Sequence, residues 1–266
     1  MGRRIERGGV MGSGSRAGDI LWGLAGIIIT LAGWELATRL GAIDPTIFPG
    51  PITAILTAAH QLPASVFLDN MAWSLFRVTG GFLLGAAAGT IIGFAAGWYR
   101  GFGYFARPLI ELLRPIPPLA WIPLAIIWFG LGEPSKFFIV FLGAFFPVVT
   151  SAYHGITHVD PSLIRASRSF GLKGLGMLFH VGIPASAPDL ATGLRIGWGL
   201  SFGVLIAAEL IAADRGLGFM IMNERNAGGS VSVIIAGILL IGFLNLVTDA
   251  ALASVLGRWI GRWHGA

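Results

Sequence analysis

The feature that most constrains this chain is a run of 22 uncharged residues, Val78 to Tyr99, between Arg77 and Arg100. As a helix, such a run spans about 30 Å, the thickness of the hydrocarbon core of a bilayer. Charged residues make up 12% of the chain, roughly half the share found in soluble domains. Five more apolar runs lie at Ile20–Thr38, Pro118–Gly132, Phe137–Tyr153, Ile196–Ala213 and Val231–Leu256. The sequence therefore predicts an all-α polytopic membrane protein with six transmembrane helices.

Basic residues predict the orientation of these spans. Of the 18 lysines and arginines, 13 fall in segments on the side of the N-terminus and 5 on the other side. The positive-inside rule then puts both termini in the cytoplasm. We expect residues 1–19 to be a disordered cytoplasmic tail, residues 20–256 the transmembrane domain and residues 257–266 a cytoplasmic C-terminal tail. Membrane topology also explains the net charge of +5, so we expect lipid contact and no nucleic-acid partner.

Several motifs that suggest catalysis lack the context that catalysis needs. The G-x-S-x-G match at residues 199–203 lies inside a predicted span, whereas a nucleophile elbow requires a strand, a turn and a helix. His154 and His158 have a metal-binding spacing but no clear third ligand. The chain has no cysteine and no G-x-x-x-x-G-K-[ST] motif. We therefore predict no catalytic residue, no metal site, no ATP binding and no enzyme activity for this chain.

Glycine recurs at every fourth position of the second span, at Gly81, Gly85, Gly89, Gly93 and Gly97. Residues four apart lie on one face of a helix, so these glycines form a groove that another helix can approach closely. Packing within the chain is the favoured interpretation, and a subunit or gating interface is the alternative.

Acidic residues within or near spans are candidates for a role in a transport pathway, because burying a charge in the bilayer costs about 3 kcal/mol. Glu209 is the strongest such candidate. Its neighbours Asp214 and Arg215 equally favour a position at the membrane surface. Glu35 and Asp249 are expected at the membrane surface.

Residues 159–184 differ from their surroundings in being basic and amphipathic. Asp160 is a good N-cap, Pro161 suits a first helical position, and Gly171 is expected to end the first helix in a left-handed conformation. A second short helix is predicted from about Lys173, with Leu175, Leu178 and Val181 on one apolar side. The pair is either a membrane-surface loop or a docking element for a soluble partner.

This stretch resembles the cytoplasmic loop of permease subunits of ATP-binding-cassette (ABC) importers. The family pattern is Glu-Ala-Ala, three residues, Gly, nine residues, Ile, one residue and Leu-Pro. Here the pattern is carried by Arg165, Ala166, Ser167, Gly171, Val181, Ile183 and Pro184. All spacings are kept, but Arg165 reverses the charge of the family's Glu. Residues 111–136 resemble the nitrate/sulfonate/taurine branch, and residues 192–221 and 263–265 are most similar to taurine permeases.

The resemblance implies a type I importer permease fold, in which residues 159–184 couple the permease to its ATPase; we call them the coupling segment. The implied coupling residues are Arg165, Ala166, Ser167, Gly171, Val181 and Pro184. The implied partners are a second copy of the chain, two ATP-binding subunits that carry ATP and Mg²⁺, and an extracytoplasmic binding protein. No cofactor is implied on this chain, and its location is the bacterial inner membrane.

The resemblance also suggests a cargo. Taurine or another sulfonate is expected, with nitrate, bicarbonate or another small anion as the alternative within the same family. A secondary transporter is the alternative from another class, and it would show inverted repeats and intramembrane acidic residues. The sequence shows no clear inverted repeat, and no run of ionisable residues threads its spans.

Overall fold

The computed structural model describes residues 16–264, and every regular element in that range is helical. The α-helices are α1 (Arg16–Arg39), α2 (Pro51–Gln61), α3 (Ala64–Trp98), α4 (Arg100–Leu113), α5 (Ile122–Phe129), α6 (Glu133–Thr157), α7 (Pro161–Ser169), α8 (Gly174–Met177), α9 (Ile183–Ala185), α10 (Ala187–Ala212), α11 (Leu217–Asn226) and α12 (Val231–His264). A 3₁₀ turn, Pro118–Trp121, precedes α5, and a π-helical turn, Leu178–Gly182, joins α8 to α9.

Five of the described helices are long and apolar enough to cross a membrane, namely α1, α3, α6, α10 and α12. A sixth crossing is formed if α4 and the segment Pro118–Phe129 are taken together as one broken span. The prediction of an all-α polytopic protein is therefore confirmed. The third predicted span, Pro118–Gly132, covers only the second arm of this broken span, whose two arms meet at an angle of 87°.

The glycine groove of α3 holds α6, so the contact lies within one chain. A Cβ atom added at Gly81 would lie 2.6 Å from Val140 Cβ, and one added at Gly89 would lie 2.9 Å from the carbonyl oxygen of Phe145. These spaces are too small for any side chain, so the two backbones meet as closely as glycine permits. The structure thus places the five glycines in intramolecular packing.

The register of this contact shows that α3 and α6 run parallel. Gly81 faces Val140, and 16 residues later Gly97 faces Ile156, which is also 16 residues beyond Val140. The chain must therefore return through the bundle between Trp98 and Glu133. The broken span makes this return, with α5 packed on α6 through Ile122, Ala125 and Ile139.

Helix α10 packs against α6 in the opposite direction. Gly193 of α10 faces Ser151, whereas Ser201 lies beside Gly143, closer to the start of α6. Ser201 Oγ donates a hydrogen bond to the Val140 carbonyl oxygen at 3.1 Å. The middle residue of the G-x-S-x-G match is thus fully buried in a helix contact. We call the end of the bundle that carries residues 159–184 the coupling end, and the opposite end the far end.

The spans are longer than the sequence predicts, because charges do not end them. Helix α3 begins at Ala64 instead of Val78 and includes Arg77, while α6 and α10 begin four and nine residues before the predicted spans. Helix α12 continues to His264, so most of the predicted C-terminal tail is helical. Helix α1 begins at Arg16, inside the predicted disordered tail. The rest of that tail, residues 1–15, lies outside the described residues, as do residues 265–266.

We expect positions 8 and 227 to lie on opposite sides of the membrane, because the basic residues are concentrated on the side of the N-terminus. The natural chain has no cysteine, so Gly8→Cys and Ala227→Cys each supply a single label site. A membrane-impermeant maleimide should label Ala227→Cys in intact cells and Gly8→Cys only in inverted vesicles. Labelling of both variants from the same side would contradict the orientation.

Candidate functional site

A buried ionic cluster joins α3, α6 and α10 at the far end of the bundle. Arg77 is at its centre and is 0% exposed. Its guanidinium donates to Glu133 at 2.6 and 2.7 Å, and to Glu209 Oε1 at 2.9 Å. It also donates to the carbonyl oxygen of Arg215. One arginine therefore holds carboxylates from two other helices.

Three consecutive backbone N–H groups complete this cluster, one from the loop before α11 and two from the first residues of α11. Gly216 donates to Asn70 Oδ1 at 2.7 Å, Leu217 to Ser74 Oγ at 2.9 Å and Gly218 to Glu209 Oε2 at 3.0 Å. Gly216 has a φ of 118°, and a Cβ atom there would collide with the Glu209 carboxylate. Glycine is therefore required for the loop to approach this closely.

Glu209 is 1% exposed, and several donors are committed to its carboxylate. Besides Arg77 and Gly218, the Ser74 hydroxyl lies 2.9 and 2.8 Å from its two oxygens. A buried charge that is paired and hydrogen-bonded in this way fixes the position of its helix. The predicted role of Glu209 in the pathway stays a prediction, and the geometry shows it in a structural contact.

The sequence alone assigns Arg77 no functional role, because Arg77 marks the end of an apolar run. No proline or other helix breaker lies between Pro63 and Arg77, and this could have indicated that the helix begins after Pro63 and includes Arg77. Lys136, also placed at the membrane surface by the sequence, is 2% exposed and lies 3.2 Å from Glu133.

The first half of the coupling segment is a short helix with its apolar side unpaired. The side chain of Asp160 caps α7 by accepting from Ser162 N at 2.7 Å, and this hydrogen bond holds the pKa of the carboxyl below its usual value. Leu163 is 47% exposed and Phe170 is 88% exposed. Gly171 ends the helix with a φ of 83°, in the left-handed conformation expected from the sequence.

The second half of the coupling segment is anchored to the bundle. Helix α8, the π-helical turn and α9 form one stretch, Gly174–Ala185. Met177 and Leu178 are buried, and Gly182 fits between Ile156 of α6 and Trp98 of α3. The sequence predicts Leu175 and Leu178 on one apolar side of this second helix. The structure separates them, since Leu175 is exposed whereas Leu178 is buried. The chain also continues in helix through Pro184 instead of ending before it, because proline is tolerated in a first helical turn.

Three cations lie around a cavity at the coupling end. The cavity has a volume of about 860 Å³ and lies between α7 and the ends of α3 and α6. Arg165, Arg168 and Lys173 line it, and all three are exposed. Within residues 16–264, none of them forms an ion pair. Ala166, Ser167 and Val181, the remaining predicted coupling residues, belong to the same segment.

Two other acidic residues have structural partners. Glu35 accepts from Arg39 at 2.9 Å and from the backbone N–H of Ile52 at 3.0 Å, so it ties α1 to the start of α2. Asp249 of α12 accepts from Arg195 of α10 at 2.6 Å. His154 and His158 stack at 3.9 Å, and the described residues bring no group of three potential metal ligands together.

Candidate membrane spans with an anchored, partly exposed segment at one end make this chain an integral membrane protein, and comparison with known families places it among the membrane subunits of transport systems. The model of the family described as "Binding-protein-dependent transport system inner membrane component" matches residues 83–261. The chain belongs to this family, whose members are multi-pass proteins of the inner membrane that work with ATP-binding subunits and a substrate-binding protein.

Curated relatives confirm the nitrate/sulfonate/taurine branch. The taurine transport system permease protein TauC of Escherichia coli is 37% identical over 94% of this chain and 92% of its own length. The putative aliphatic sulfonates transport permease protein SsuC of the same organism is 35% identical over 89% of each chain. The nitrate import permease protein NrtB of Synechococcus elongatus is 31% identical, over 88% of this chain and 86% of its own.

Solved structures confirm the fold. A chain of an amino acid ABC transporter matches 78% of this chain and 98% of its own length, at 16% identity and a TM-score of 0.61. A chain of the inward-facing MetNI methionine transporter matches 82% and 99%, at 18% identity and a TM-score of 0.55. The expected ABC importer permease fold is therefore confirmed.

We expect Arg77→Met to destabilise the bundle strongly, because it leaves Glu209 as a buried charge without its cation. Breaking a buried ion pair costs about 3–5 kcal/mol. Thermal unfolding of the purified protein, followed by tryptophan fluorescence, should show a markedly lower midpoint.

The matched control is Arg195→Met, which breaks the much more exposed pair with Asp249. The double variant Arg77→Met/Glu209→Leu should recover part of the lost stability, because it removes the uncompensated charge. Equal midpoints for Arg77→Met and Arg195→Met would refute a central role for this cluster.

Proposed function

We propose that this chain is the permease subunit of an ATP-driven importer for a small sulfur-containing anion or zwitterion, namely taurine or another sulfonate. Family membership makes it the membrane component of a binding-protein-dependent system. The taurine and sulfonate permeases among its relatives support this cargo.

The observation that carries the proposal is the construction of the coupling segment. Its first helix leaves Leu163 and Phe170 exposed, whereas its second part is buried against Trp98 and Ile156. An exposed apolar surface rimmed by cations suits docking to a soluble subunit. The anchored part then transmits movement of that subunit directly to α3 and α6.

A mechanism follows from the two ends of the bundle. ATP and Mg²⁺ bind to two ATPase subunits, whose closure moves the coupling segments of two permease copies. In each copy the glycine contact between α3 and α6 and the cluster at Arg77 keep three spans together as one unit. That unit tilts as a body, and access to the pathway changes from the far end to the coupling end. In this arrangement the coupling end faces the cytoplasm, and so do both termini.

Nitrate, bicarbonate or another small anion is the second candidate cargo within the same family. The nitrate permease among the relatives favours it. A secondary transporter has no such support, since other relatives are named as ABC transporter permease proteins.

Uptake by the reconstituted transporter tests the proposed cargo. The permease is purified with its ATPase and placed in liposomes with ATP inside and its binding protein outside. Accumulation of labelled taurine, which an excess of unlabelled alkanesulfonate but not nitrate prevents, is the expected result. Permease without ATPase subunits is the control and should show neither uptake nor ATP hydrolysis. Uptake of nitrate alone would replace the first cargo with the second.

The coupling role predicts a specific effect of Gly171→Val. The left-handed conformation at Gly171 is strained by about 1–3 kcal/mol for other residues, so the first helix should tilt away from its docking position. We expect less co-purified ATPase and loss of uptake, with normal insertion into the membrane.

The control for this variant is Gly176→Val. A Cβ atom at Gly176 meets only Leu172, at 3.8 Å, and the backbone there is not left-handed. Gly174 is unsuitable as a control, because its φ is 55°. If Gly171→Val keeps full transport, or if both variants behave alike, residues 159–184 do not couple the two subunits.

A further inference from the structure

A small pocket lies beside the bend of the broken span. Its volume is about 350 Å³, within the usual range for small-molecule sites. Arg114 enters it from the bend, and Thr150 and Ser151 enter it from α6. The remaining walls are mostly apolar and include Phe146 and Pro147 of α6 and Leu200 of α10. None of the lining residues is acidic.

The pocket opens on the surface of the chain at the level of the spans, because Arg114, Ile196 and Leu200 are exposed whereas Leu142 and Phe146 are buried. Its residues on α6 fall between positions 142 and 151 of a helix that spans residues 133–157. Its residues on α10 fall at the middle of a helix that spans residues 187–212. The pocket thus extends from the middle of these spans toward the coupling end.

Arg114 and Ser151 offer hydrogen-bond donors that nothing else in the described chain uses. The guanidinium of Arg114 makes no ion pair or hydrogen bond within residues 16–264, and neither does the Ser151 hydroxyl. Thr150 differs, because its hydroxyl donates to the Phe146 carbonyl oxygen at 2.8 Å. Arg77, Arg107 and Arg195, by contrast, all pair with carboxylates.

An unpaired arginine beside the middle parts of α6 and α10 requires an explanation, because a charge within the thickness of a membrane is costly and marks substrate pathways. A guanidinium presents its donors in a planar fork that fits two oxygens of one oxyanion. The buried apolar wall of Leu142 and Phe146 strengthens that attraction, because it lowers the local dielectric. A site with one cation, a free hydroxyl and no acidic lining residue therefore suits a small oxyanion.

We propose that Arg114 and Ser151 bind the transported oxyanion, a sulfonate or nitrate, in the half of the pathway nearest the coupling end. This inference rests on the proposed function, since it names the residues that select the cargo. A zwitterionic sulfonate would place its sulfonate group against Arg114 and its amine on the side away from Arg114.

The test uses the complete transporter, with ATPase and binding protein, in liposomes. Wild type is compared with Arg114→Gln, Arg114→Lys and Ser151→Ala, and the matched control is Arg100→Gln. Arg100 is an exposed cation at the start of α4 that does not line the pocket. Uptake of labelled taurine or nitrate, whichever wild type transports, is measured beside ATP hydrolysis stimulated by the binding protein. Each variant is measured in neutral and in anionic lipid.

We expect Arg114→Gln to reduce uptake about tenfold or more, the effect of losing a charge-assisted contact, while stimulated ATP hydrolysis persists. Arg114→Lys should lie between Arg114→Gln and wild type, Ser151→Ala should lose less, and Arg100→Gln should match wild type. These effects should be the same in both lipids.

Three results would overturn the inference and leave the proposed function standing. Unchanged uptake by Arg114→Gln would show that the pathway does not need this cation. A parallel loss of uptake and ATP hydrolysis would show that Arg114 serves structure or coupling. A defect seen only in anionic lipid would show that Arg114 binds a phospholipid headgroup. If wild type itself transports none of the anions, the proposed function fails and the inference fails with it.

Discussion

The close parallel contact between α3 and α6 is the constraint on which the rest of the structure depends. Glycines on α3 let the backbone of α6 approach where no side chain would fit. Because lipid provides no hydrophobic drive between helices, this complementary packing must hold them together. Two neighbouring parallel spans also force the chain to cross back between them. The broken span makes that crossing, and its 87° bend is where Arg114 reaches the pocket against α6 and α10.

Polar interactions act at both ends of this packed unit and serve different purposes. At the far end, Arg77 joins the carboxylates of Glu133 and Glu209, and two backbone N–H groups at the start of α11 donate to Ser74 and Glu209. These groups satisfy one another and fix the helices. At the coupling end, Arg165, Arg168 and Lys173 have no ion-pair partner in residues 16–264. Satisfied charges make the bundle rigid, whereas unsatisfied ones are free to bind another subunit.

This division gives the proposed transport cycle a physical basis. A subunit that pulls on the coupling segment moves Met177 and Leu178, which are packed against the bundle. Movement is therefore passed on through tight packing, which does not absorb it as a flexible linker would. The pocket at Arg114 lies between the two ends and is built from the bend and two of the helices that move.

The sequence by itself determined the class of fold and the family, because apolar length and the spacing of residues 165–184 are local properties. It also determined that Gly171 would end a helix, since only glycine adopts that conformation cheaply. The tertiary structure alone decided which charges are buried. Arg77 and Lys136 appear in the sequence as the ends of apolar runs, yet partners more than 50 residues away along the chain allow Arg77 to sit inside the bundle. The pocket at Arg114 depends on a bend and two distant helices, and such long-range pairings leave no local pattern.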